Sequence, residues 1–188
     1  MKRIIRYGVF ETNSSSTHSM SLCIKGENEE WRKESEIPYE EREVRSSLHK
    51  YFVITGLLEQ YEYTIEQDDK IKYKEGLLNQ IKMFKDFLAE EFKNVGGNIN
   101  EYNGHIKDLR KAGCNQLLCD TYFNHSPLSA CGCSLSLFKN LKKVLEIKKD
   151  TEEEYKKAAK VLFNPNVYFH LREGWYGGSA WYIDEKIF

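Results

Sequence analysis

Three groups of residues carry side chains suited to chemistry, and the densest is Thr12-Asn13-Ser14-Ser15-Ser16-Thr17-His18. Consecutive small residues let neighbouring backbone N–H groups point into one concavity. The hydroxyls add further donors, a combination that suits an anion such as a phosphate group. His18 supplies a charge-assisted hydrogen bond or general acid–base capacity near neutral pH, and Ser15 is the candidate nucleophile beside it. The familiar templates do not match. There is no Gly-x4-Gly-Lys phosphate loop and no Gly-x-Ser-x-Gly elbow. His18-Ser19-Met20 and His170-Leu171-Arg172 both lack the hydroxyl of the paired His-x-Ser/Thr motifs of phosphoesterases. A Ser- and Asn-rich turn that satisfies its own backbone groups explains the same residues without a ligand.

The second group is Cys114, Cys119, Cys131 and Cys133, a C-x4-C-x11-C-x-C pattern with His125 between the pairs. Four thiolates, or three and an imidazole, can fill a tetrahedral zinc site. Neither pair has the C-x2-C spacing of a zinc knuckle, and small apolar fillers around a Cys-Gly-Cys turn account for the same residues. Zinc is therefore the one cofactor the sequence raises.

The third group lies in His170-Leu171-Arg172-Glu173-Gly174-Trp175-Tyr176 and the run that follows it. With Phe169 and Leu171 on a core face, strand alternation puts His170 and Arg172 outward with Tyr168, and a returning strand would add Tyr182, Asp184 and Lys186. Trp175 and Tyr176 at a Gly-rich tip could stack on a base or grip a partner. An ordinary solvated strand face with cross-strand charge pairs is the competing explanation.

These residues depend on the elements around them. Arg3 to Phe10 and Ser19 to Ile24 read as strands joined by a Thr12–His18 loop. Gly26 to Glu43 reads as a charged surface connection, with room for a short helix. Ser47 to Leu58 holds an apolar run that periodicity assigns to neither helix nor strand. From 67 to 94, Ile71, Leu77, Leu78, Ile81, Phe84, Leu88 and Phe92 recur at helical steps and predict a long amphipathic helix. Further helices are expected over Asn100–Lys111, stopping at Gly113, and over Ser134–Lys148. Thr151 and Glu154 form a capping-box pattern that opens another helix, closed by Asn164-Pro165. Val167–Arg172 and Ala180–Phe188 alternate as strands of a hairpin around a Gly174–Ser179 turn. The expected fold is α+β. Terminal strands share a mainly antiparallel sheet and a central helical segment, 67–163, packs on it, in one 188-residue domain or with that segment as a sub-lobe.

Charge and composition narrow the function. The chain has 28 basic and 29 acidic residues, a formal net charge of −1, which argues against a protein built mainly to coat nucleic acid. No run approaches the roughly 18–20 apolar residues of a membrane span, so no membrane partner is expected. Five cysteines, an odd and clustered set, do not resemble a secreted disulfide framework, and a reducing cytoplasm is the expected compartment.

The run Arg6-Tyr7-Gly8-Val9-Phe10-Glu11-Thr12-Asn13-Ser14-Ser15-Ser16-Thr17-His18-Ser19 resembles the opening of small phage and mobile-element proteins of Gram-positive bacteria that share a Phe-Glu-Thr-Asn-Ser-Ser-Ser-Thr-His-Ser motif. The resemblance covers about the first twenty residues and implies that the Ser-rich loop defines the group; it implies no activity. Three functions follow. The first is a cytosolic binding protein that captures a host protein or a small phosphorylated, nucleotide-like ligand with the Ser-rich loop. The second is an enzyme acting on a phosphorylated or nucleotide substrate with His18 as acid or base. The third is a zinc-stabilised interaction domain.

Overall fold

The computed structural model describes residues 4–5, 9–11, 16–37, 41–67, 69, 71–111, 141–143 and 145–175. Within them the fold is α+β. The strands are β1 (Ile4–Ile5), β2 (Val9–Glu11), β3 (Ser16–Ile24), β4 (Glu41–Val44) and β5 (Val167–Trp175). The helices are α1 (Ser47–Gln67), α2 (Lys74–Asn94), α3 (Ile99–Lys111) and α4 (Glu152–Leu162). Every strand pairing is antiparallel.

The sheet is organised around β3 and β5. β1 and β2 lie along one edge of β3, while β5 runs along the other over its whole length, from Ser16↔Trp175 to Ile24↔Val167. β4 then pairs with β5 from Glu41↔Arg172 to Val44↔Phe169. Over residues 169–172, therefore, both edges of β5 are occupied. The strand expected over Ala180–Phe188 lies outside the described residues. β5 also continues through Gly174 to Trp175, where a turn was expected.

Other boundaries move as well. β3 begins at Ser16, so Ser16, Thr17 and His18 are strand residues rather than loop residues. The expected first strand is two short pieces, β1 and β2. Glu41–Glu43, assigned by its charges to a surface connection, forms strand β4 together with Val44, and the short helical turn before it is Glu34–Glu36. Ser47–Leu58 resolves as helix, the first half of α1. Its residues Tyr51, Phe52, Val53, Ile54, Leu57 and Leu58 are all buried. A helix buried around its circumference has no polar stripe for periodicity to detect.

α2 carries the amphipathic pattern, burying Ile81, Phe84, Leu88 and Phe92, but it starts at Lys74 rather than near 67. Ile71 is buried ahead of it. α3 matches the expected span, and Gly113 lies outside the described residues. Thr151 caps α4 as its capping-box pattern predicts, its hydroxyl accepting from the Glu154 N–H at 3.4 Å. Residues 141–143 are helical, but the turn at 145–146 ends that helix before Lys148; 134–140 lie outside the described residues.

One apolar cluster joins the helices to the sheet. It includes Tyr51, Ile54 and Leu58 of α1, Phe84 and Phe92 of α2, Tyr155 and Leu162 of α4, and Val44 and Phe169 of the sheet. Phe92 stacks on Tyr51 with ring centroids 4.5 Å apart and planes within 4°. α2 ends in a Schellman turn: the Gly97 N–H donates to Phe92 O at 2.8 Å, the Gly96 N–H to Lys93 O at 2.9 Å, and Gly96 has φ +85°. A Cβ on Gly97 would fall inside the Phe92 ring. The ring is held between Tyr51 and Phe163 and has no room to give. Gly97→Ala should therefore destabilise the protein by about 2 kcal/mol in a urea titration. Gly76→Ala, where a Cβ meets nothing within 4 Å, should not destabilise it.

Candidate functional site

In an antiparallel sheet, residues directly opposite one another stand on the same face, and neighbours along a strand alternate. One face carries Val44, Val167 and Phe169, which are buried in the core with the helices. The register assigns Phe10, His18 and Glu173 to positions on that face, His18 opposite both of the others. The second face carries two three-strand rungs. One is Ser21–His170–Glu43, and the other is Ser19–Arg172–Glu41. Further along stand Thr17, opposite Gly174 and Glu11.

At the other end of this second face, Cys23 and Tyr168 face each other across β3 and β5. Tyr168 was expected to stand outward in solvent, but it is only 4% exposed. The covering group is Trp31, whose ring meets Tyr168 edge-on at 5.2 Å and 79°. Burial pushes the Tyr168 hydroxyl pKa up to about 12, with Cys23 and the Glu43 charge adding to the rise. Trp31 in turn carries the Arg45 guanidinium 4.8 Å from its ring centroid, and Lys25 Nζ lies 5.7 Å from it.

Glu43 anchors this cluster. Its side chain is 2% exposed. Arg32 Nε donates to Oε1 at 2.7 Å and Arg45 Nε to Oε2 at 2.9 Å, and the Nη2 of each arginine donates to the same oxygen as its Nε. Arg45 Nη2 also donates to Arg32 O at 2.7 Å, which ties the strand end to the 31–33 segment. Burial by itself would raise the Glu43 pKa, but the hydrogen bonds and charges of Arg45 and Arg32 outweigh it and hold the carboxyl below its usual value.

The rung Ser21–His170–Glu43 has the residue types of a nucleophilic triad, so its acid matters. A carboxylate has about four lone-pair sites, and the two arginines fill them. Glu43 therefore lacks the spare acceptor that would hold His170 as a general base, and the cluster is built to fix positive charge over the sheet. Arg32 and Arg45 stand against one buried carboxylate, Lys25 lies beside the Trp31 ring, and Arg172 lies two residues along β5 from His170. Such a face can bind an anion.

No family model, no curated protein and no solved structure matches this chain.

The sequence-expected site residues divide between the two faces. Ser16 and His18 take positions on the helix-covered face with Trp175, while Thr17, His170 and Arg172 take positions on the other. His18 and His170, treated together from sequence, are thus separated by the sheet. Thr12, Asn13, Ser14 and Ser15 lie outside the described residues, as do Tyr176, Tyr182 and the four cysteines Cys114, Cys119, Cys131 and Cys133. Among the described residues, no group of three or more His, Cys, Asp and Glu could hold a metal ion.

Sequence reasoning missed Trp31, Arg32, Glu43 and Arg45 altogether. Their one visible signal was an isolated tryptophan inside a highly charged connection. Among the described residues, no helix is long and apolar enough to cross a membrane.

Proposed function

We propose that this chain is a cytoplasmic binding protein for a small phosphorylated, nucleotide-like ligand, seated on the second face of the sheet beside the Ser-rich segment. The observation that carries this reading is the pair of rungs Ser21–His170–Glu43 and Ser19–Arg172–Glu41, continuous with the arginine cluster around Trp31. Arginine binds a phosphate bidentately, and serine hydroxyls and a histidine add donors around it. An aromatic edge at the far end offers a contact for a base. From Ser16 to Ser19 is roughly 10 Å at the usual rise of a strand, so a phosphate near Arg172 remains within a nucleotide's length of the Ser-rich segment. The likeness of that segment to phage and mobile-element proteins supports a role inside a bacterial host cell.

The test is calorimetric titration with inorganic phosphate, AMP, ADP, a cyclic nucleotide and a sugar phosphate. A phosphorylated compound should bind the wild type, and Arg172→Ala should weaken it at least tenfold, about 1.4 kcal/mol. His18→Ala, on the other face, should bind within twofold of wild type. Binding by none of the compounds, or a loss caused by His18→Ala and not by Arg172→Ala, would sink the proposal.

A further inference from the structure

On the opposite face of the sheet, between β3, α4 and the turn at 145–146, lies a cavity of about 210 Å³. Leu22, Ile24, Leu145, Ala158 and Val161 form its apolar floor. Ile24 is 47% exposed and Val161 38%, so the cavity opens to solvent. It is smaller than the roughly 300–1,000 Å³ of sites for drug-sized molecules, a size that suits a ligand on the scale of one amino acid.

Three charged residues ring it: Glu146, Glu154 and Lys157. Glu154 is engaged, accepting from the Lys148 N–H at 3.1 Å within the capping arrangement of α4. The side chains of Glu146 and Lys157 make no hydrogen bond or ion pair with any described residue. The rim thus offers one carboxylate and one ammonium that no described residue engages.

Glu146 is also held in an unusual backbone state. The helix through 141–143 ends in the same Schellman turn as α2, with the Ile147 N–H donating to Lys142 O at 2.8 Å and the Glu146 N–H to Lys143 O at 3.1 Å. Glu146 takes the left-handed position with φ +56°, where α2 has Gly96. A side chain there costs about 1 kcal/mol relative to glycine. The turn itself needs no carboxylate, and the strained residue is the one that presents its charge at the cavity.

We propose that this cavity binds a free apolar α-amino acid. The ammonium pairs with Glu146, the carboxylate with Lys157, and the branched side chain covers the floor. Of simple ligands with an apolar body, the zwitterion is the class that uses both rim charges at once. The site is separate from the phosphate-binding face, and either can fail without the other.

The experiment is titration of the full chain with L-leucine, followed by calorimetry and by the thermal midpoint. The comparison compounds are 4-methylpentanoate, which lacks the amine, and isoamylamine, which lacks the carboxylate. Leucine should bind, and each analogue should bind at least tenfold more weakly. Glu146→Asn keeps a residue that tolerates the left-handed region and removes the charge; it should weaken leucine at least tenfold with the midpoint of the apo protein unchanged or raised. Lys157→Gln should weaken leucine and leave isoamylamine unaffected. No binding of leucine to the wild type, equal binding of either analogue, or full binding to Glu146→Asn would overturn the proposal.

Discussion

Glu43→Ala should destabilise the protein by about 3 kcal/mol, measured by urea unfolding at pH 7. Truncation leaves Arg32 and Arg45 facing each other without the carboxylate that neutralises them, and breaking a buried charge pair costs about 3–5 kcal/mol. The lower part of that range applies because the two arginine side chains are 35% and 26% exposed and regain some solvation. The loss should also show in the acid limb. The Glu43 pKa is lower folded than unfolded, so its contribution is present above the unfolded value and is lost as pH falls through the folded one. Stability measured from pH 6 downward should fall less steeply in Glu43→Ala than in wild type. Parallel acid limbs would mean that Glu43 titrates alike in both states. Tryptophan emission gives a second readout, because Arg45 loses the partner that holds it over Trp31.

Lys50→Ala carries the other large effect. Lys50 lies in the first turn of α1, 1% exposed, and its Nζ donates to Asn164 O at 3.0 Å and Val167 O at 2.9 Å. Those two carbonyls flank the turn between α4 and β5, so one side chain fastens the end of the last described helix to the start of the central strand. Removing it takes the ammonium donor from both carbonyls, although Asn164 O keeps the Val167 N–H at 3.0 Å, and vacates the space of a buried aliphatic stem, at a cost of about 3 kcal/mol.

The same amine should give the protein an alkaline signature. Burial lowers the Lys50 pKa to about 8 from the usual 10.5. Between those values the unfolded chain holds more protons than the folded one, so this group makes stability rise as pH increases. From pH 7 to pH 9 the gain is about 1.3 kcal/mol, and Lys50→Ala should lack it. The deficit of the variant should therefore widen over that interval. A deficit that stays constant or narrows would show that the folded protein does not hold the amine in this depressed state.

What the sequence disclosed depended on whether a signal was local. The Thr151–Glu154 capping box and the α2 stripe of Ile81, Phe84, Leu88 and Phe92 are written in neighbouring residues, and both appear as expected. α1 was ambiguous because its apolar run is buried on all sides. β4 was missed because Glu41-Arg42-Glu43 reads as solvated surface; Glu43 is buried only because two arginines from outside the strand fill its oxygens. The candidate site was hidden for a related reason. Strand alternation could say that His170 and Arg172 share a face, but not that His18 takes the other one, since that parity is set by a pairing register between distant segments. The burial of Tyr168 under Trp31 likewise joins residues with no pattern between them.

The position of β5 bears on how the molecule is made. β3 emerges among the first residues, but its partner along that whole edge arrives far later; Ser21 and His170 are 149 residues apart in the chain. At about 5–20 residues per second of synthesis, that interval lasts roughly 7–30 s. During it, α1 and α2 have their neighbouring partners in hand, while β3 and β4 lack the strand that joins them. A ribosome stalled before Val167 would carry paired helices beside two unjoined strand edges, the kind of surface that chaperones and aggregates both recognise. The proposed phosphate-binding face, which takes His170 and Arg172 from β5, would come into being only as that last described strand docks.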